Sequence, residues 1–122
     1  MTNLLKAISI SLILSLSGLA WGNSTPEERA TKSTEKMMER LELDASIREQ
    51  LHDINLRYAT EADPVLKSSD GKFKKGRKLR KIFKRKDEEL KALFTKEQYE
   101  EYKKLREELM QELKAARKEK NN

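Results

Sequence analysis

The chain has 122 residues, 39% of them charged, with 27 Lys and Arg against 21 Asp and Glu and a net charge of +6. One histidine and no cysteine exclude disulfide staples, thiol chemistry and any metal site built from Cys or several His. That length fits one domain, and the sparse apolar content excludes a large hydrophobic core.

Met1 to Lys6 carries one positive charge, and Ala7 to Leu19 (AISISLILSLSGL) is an apolar run with only small polar interruptions. Gly18, Ala20 and Gly22 then place small residues where a signal peptidase cuts. This is the layout of a secretory signal peptide over residues 1–22, cleaved after Gly22 or Ala20. The run is shorter than the ~20 residues of a spanning helix, so an uncleaved anchor is the weaker alternative. No cysteine follows it, which excludes a lipoprotein.

Residues 23–122 keep 26 of the basic residues and all 21 acids, a net charge of +5. Leu, Ile, Val and Phe number only 18 there, a thin core by the standard of globular chains. The apolar residues are nevertheless periodic. Long helices whose apolar stripe is completed by a second chain fit both facts, so a homodimer is expected.

A single helical domain over residues 23–122 is expected, with helices at about 26–41, 44–63, 72–93 and 95–119. Thr25-Pro26-Glu27-Glu28 opens the first, with Thr25 as cap, Pro26 at the first helical position and Glu28 reaching back. Its face (Ala30, Met37, Leu41) is weak, so a short, loosely held helix is expected. The second starts at Asp44 and shows Ile47, Leu51, Ile54, Tyr58, Ala62 and Val65 at helical spacing. Pro64 disfavours helical geometry at Asp63, which predicts a stop or kink, and Ser68 to Gly71 reads as a turn.

The third helix opens with KFKKGRKLRKIFKRK, residues 72–86, which holds ten Lys or Arg and no acid. Phe73, Leu79, Ile82 and Phe83 are interleaved among them. The fourth begins at Thr95. Its hydroxyl and the Gln98 side chain are placed to form a reciprocal capping box, with Phe94 and Tyr99 as a hydrophobic staple. Tyr102, Leu105, Leu109, Leu113 and Ala116 continue the stripe. The second and fourth helices align at an offset of 51 residues: Leu43 with Phe94, Asp44 with Thr95, Leu51 with Tyr102, Ile54 with Leu105. Agreement of cap and stripe together points to an internal duplication.

Phe94-Thr95-Lys96-Glu97-Gln98, with Leu43-Asp44-Ala45-Ser46-Ile47 as a second copy lacking the Gln, resembles the LTxxQ motif of the Spy/CpxP family of periplasmic proteins. The resemblance covers roughly residues 37–113. It implies an all-α fold: an elongated, curved four-helix hairpin protomer, paired as an intertwined antiparallel homodimer resembling a cradle. It also implies a periplasmic location. The activities it implies are ATP-independent chaperoning of unfolded or misfolded envelope proteins, damping of an envelope-stress sensor kinase and, in some branches, metal sensing.

The residues themselves offer catalysis no support, and neither an enzyme nor a cofactor is expected. His52 stands without Ser, Cys or Asp at catalytic spacing and reads as a surface residue. Gly71-xxxx-Gly76-Arg77-Lys78 lacks the Lys-Ser/Thr ending and the preceding strand of a phosphate-binding loop. Carboxylates are spread as helix-surface Glu/Lys pairs, which leaves metal sensing with the least support.

The basic stretch needs a partner, because ten like charges repel one another. Export disfavours nucleic acid. An anionic membrane surface is a secondary reading, since a basic helix bearing Phe and Leu can lie on one. The preferred reading is a client surface: Phe73, Lys74, Lys75, Arg77, Lys78, Leu79, Arg80, Lys81, Ile82, Phe83, Lys84 and Arg85 capturing unfolded envelope proteins by charge and shallow apolar contact. Core packing is the competing role for Leu79 and Ile82. The alternative function is a signalling accessory whose same face docks on the periplasmic domain of a sensor kinase.

Overall fold

The computed structural model describes residues 24–121, and these form four α-helices and one 3₁₀ turn with no strand among them. The helices are α1 (Pro26–Arg40), α2 (Arg48–Lys67), α3 (Lys72–Leu93) and α4 (Lys96–Asn121), with the turn at Ala45–Ile47. The leader expected over residues 1–22, and the side chains of Leu113 and Ala116, lie outside the described residues. Thr25–Lys104 is one compact unit, and the distal part of α4 from Leu105 belongs to another.

Within Thr25–Lys104, α2 is the shared partner of α1 and α3. Both pairings are antiparallel. Arg29 at the start of α1 meets Asp63 near the end of α2 at 2.9 Å, while Thr34 meets Asn55 at 3.0 Å. On the other side Arg57 meets Glu89 at 2.7 Å, and Lys75 Nζ reaches the carbonyl of Leu66 at 3.3 Å. The core is one stripe: Ala30, Met37 and Leu41 from α1, Leu51, Ile54, Tyr58 and Ala62 from α2, Ile82 and Leu90 from α3.

Thr25 caps α1 as expected, its Oγ1 accepting from the Glu28 amide at 3.1 Å. The helix is held more firmly than its apolar spacing implies, because polar residues fill its gaps. Thr34 and Asn55 are both buried, and Asn55 Nδ2 donates to Thr34 Oγ1. The Thr34 hydroxyl in turn donates to the Ala30 carbonyl at 2.8 Å. A buried polar contact of this kind fixes the register of α1 against α2. Asn55 Oδ1 remains without a hydrogen-bond partner.

α1 ends in a Schellman motif. The amides of Glu42 and Leu43 donate to the carbonyls of Glu39 (3.4 Å) and Met38 (3.2 Å), with Glu42 at φ 49°. Asp44 then caps only a 3₁₀ turn, accepting from the Ser46 amide at 3.0 Å, and the α-helix starts at Arg48 rather than at Asp44. Ile47 has no oxygen to return to the Asp44 amide, so this start has half a box.

The stop expected at Pro64 does not occur: α2 runs on to Lys67. Asp63, the residue a following proline pushes out of helical geometry, is gripped from both sides. Lys67 holds it at 2.9 Å one turn on, and Arg29 holds it at 2.9 Å from α1. Pro64 lacks an N–H, so one interior amide bond is lost, and only three residues of the helix follow it.

Candidate binding surface

α3 keeps the bounds expected for it, but its start is bare. Gly71 occupies the N-cap with no side-chain hydrogen bond, the first turn has no acid, and Lys72, Lys74 and Lys75 stand at the positive end of the helix dipole. The opposite end of the helix is secured. Phe94 turns extended, its amide donating to Leu90 O at 2.9 Å, and the capping box that follows is complete. Thr95 N donates to Gln98 Oε1 at 2.9 Å and Gln98 N donates to Thr95 Oγ1 at 3.2 Å. The expected Phe94–Tyr99 staple is relayed through a third ring: Phe94 pairs with Tyr102 at 6.2 Å, and Tyr102 with Tyr99 at 5.9 Å. The Tyr102 hydroxyl donates to Asp87 Oδ1 at 2.7 Å, tying the first turns of α4 to α3.

Ten of the twelve residues of the basic stretch separate into three groups, and its two phenylalanines stand apart from them. Ile82 is buried at 6% exposure and Leu79 is half-buried, so these belong to the core side and not to an open client face. A second group is engaged by partners within the protein. Asp70 pairs with Lys74 at 3.6 Å and with Lys78 at 2.9 Å, Lys78 being the main reason its carboxyl sits below the usual range. Arg85 pairs with Glu61 on α2, and Lys75 is engaged by the Leu66 carbonyl.

Arg85 also belongs to a clasp between α2 and α3. Its guanidinium and that of Arg57 lie 5.8 and 5.6 Å from the centroid of the buried Tyr58 ring. Arg57 Nη1 donates to both oxygens of Glu89 at 2.7 Å, which holds the Glu89 carboxyl below its ordinary range.

The third group is Arg77, Arg80, Lys81 and Lys84. None forms an ion pair among the described residues, and Arg80 has only a 3.4 Å bond from Nε to the Gly76 carbonyl. At about 100° per residue these four and Phe73 fall within an arc of about 100°, opposite Ile82. Phe73, at 89% exposure, is the most exposed large apolar side chain among the described residues, and Phe83 is open at 41%. Lys86 lies on the other side of the helix, and burial pushes its ammonium down to about 8.

Two open clefts lie outside this face. One of about 450 Å³ lies between α1 and the start of α2, lined by Thr34, Glu35, Glu49 and His52. His52 Nδ1 approaches Thr34 Oγ1 to 3.5 Å, and the Thr34 hydroxyl donates to the Ala30 carbonyl. The other, of about 440 Å³, lies between α2 and α3 at Asp53, Arg57 and Glu89. No group of three His, Cys, Asp or Glu among the described residues is placed to hold a metal ion. No described helix is long and apolar enough to cross a membrane.

Asp70 was legible as a partner of Lys74, four residues on in the sequence. Glu61 and Glu89 were not, because they meet their arginines across two helices.

A family model described as a domain of unknown function, DUF4890, matches residues 20–102, and the chain belongs to that family. Comparison with curated proteins and with solved structures returned no match.

Proposed function

We propose that this DUF4890 protein is an ATP-independent chaperone of the periplasm that holds unfolded or misfolded envelope proteins on the outer face of α3. The observation that carries the reading is the arc of Arg77, Arg80, Lys81 and Lys84 without ion-pair partners among the described residues, with an open Phe73 among them. Uncompensated charge on flexible stems attracts acidic chains at long range, and a lone exposed ring adds weak, sequence-tolerant contact. The resemblance of the Thr95 start to the LTxxQ motif supports the same class. The thin core supports a homodimer in which a second copy completes the apolar stripe.

Binding by charge rather than by a deep apolar groove follows from Ile82 being buried and Leu79 half-buried. Affinity is therefore weak, fast and salt-sensitive. Purified protein suppresses aggregation of a reduced, unfolded acidic client at low salt without nucleotide, and loses that effect as salt rises. No suppression at several-fold molar excess would sink the reading. Stoichiometric recovery of one sensor kinase in place of many clients would replace it with the signalling accessory.

A further inference from the structure

We propose that the outer face of α3 also docks the protein on an anionic lipid bilayer. This goes beyond client capture and does not rest on it. Arg77, Arg80, Lys81 and Lys84 form no ion pair among the described residues, and residues 72–86 contain no acid. From Arg77 to Lys84 the charges run about 10 Å along one side of a helix.

Both clefts lie elsewhere, against α1 and α2 or between α2 and α3. A peptide gains its specificity from a groove, a sheet edge or pockets for alternate side chains. Lipid headgroups need none of these, because they move laterally until phosphate meets cation.

Phe73 supplies the second observation. It sits within the cationic arc, is 89% exposed and is the position best placed to enter the headgroup region. Aromatic rings favour that depth, and basic side chains around them hold the helix flat on the surface. Each Lys or Arg near an anionic leaflet is worth roughly fivefold in affinity, an effect that decays within a Debye length of about 8 Å at physiological salt.

The test is cosedimentation of protein purified from expression of the full 122-residue chain. Vesicles of phosphatidylglycerol mixed with phosphatidylcholine are compared with phosphatidylcholine alone, so that any contribution of the leader is common to both. Wild type binds the mixed vesicles more tightly, and the difference shrinks as salt is raised. The variant Arg77→Glu, Lys81→Glu, Lys84→Glu loses roughly a hundredfold or more of that difference. Phe73→Ser loses roughly fivefold.

Lys32→Glu, Lys96→Glu, Lys118→Glu makes the same change in net charge at exposed positions elsewhere and stays within roughly threefold of wild type. Circular dichroism melts matching wild type confirm that the variants fold. Equal losses in both triple variants would overturn the proposal, as would wild-type binding by the α3 variant. Failure of wild type to bind anionic vesicles while still suppressing client aggregation removes this inference and leaves the chaperone reading. Vesicle binding without suppression of aggregation does the reverse.

Discussion

The starts of α3 and α4 are built on opposite principles. At Thr95 every local device is present: a reciprocal capping box, Glu97 at the positive end of the dipole, and three rings stacked from Phe94 through Tyr102 to Tyr99. At Gly71 none is. The cap is a glycine, three lysines stand in the first turn, Phe73 packs on nothing that shields it, and Gly76 lies inside the helix. The difference teaches where this sequence serves the fold and where it serves something else. α4 is positioned by its own first turn. The start of α3 is kept in place by the turn just before it, through Asp70 and the Leu66 carbonyl, while its outer side is left charged.

Two phenylalanines give the largest contrast. Phe94→Ala empties a site at 7% exposure and lowers stability by about 3–5 kcal/mol. Phe73→Ala changes it by less than about 0.5 kcal/mol, because the ring is already in water. Urea titration of the two variants measures both, and similar losses would break the comparison. Thr95→Ala removes half the box and costs about 1 kcal/mol, a larger loss than that of Asp44→Ala, which caps only a 3₁₀ turn. Thermal melts rank the pair.

Gly76→Ala works in the other direction. A Cβ there meets nothing within 4 Å and the backbone has no positive φ, so the substitution raises stability by about 0.5–1 kcal/mol. A lower melting temperature would show that the bare start has a structural need for glycine.

The smallest effect is a pH dependence. Lys67 and then Arg29 hold the Asp63 carboxyl below its ordinary value. Its contribution is therefore complete above the ordinary carboxylate pKa of about 4 and is lost as pH falls through the depressed folded value. Asp63→Asn flattens the acid limb of melting temperature against pH below about pH 4, and an unchanged acid limb contradicts the assignment.

Much of this was legible in the sequence, and the misses share one cause. Helix existence followed from apolar spacing, and the Thr95–Gln98 box from chemistry three residues apart. The grip of α1 on α2 was not legible, because Thr34 and Asn55 are polar and a search for apolar periodicity passes over them. The run of α2 through Pro64 depends on Arg29, thirty-four residues away along the chain. The basic stretch showed the same limit. Its charge was plain, but Glu61 meets Arg85 across two helices, so the separation of Arg85 from Arg77, Arg80, Lys81 and Lys84 was not.

The central claim is that α3 carries the binding face while α4 serves structure. Amide hydrogen exchange, with and without a reduced acidic client, tests it most directly. In the free protein the amides of residues 73–76 exchange faster than those of residues 96–99, and client slows exchange across residues 72–86 while leaving residues 94–99 unchanged. Protection that appears at the start of α4 or around the His52 cleft, with α3 unaltered, would contradict the account.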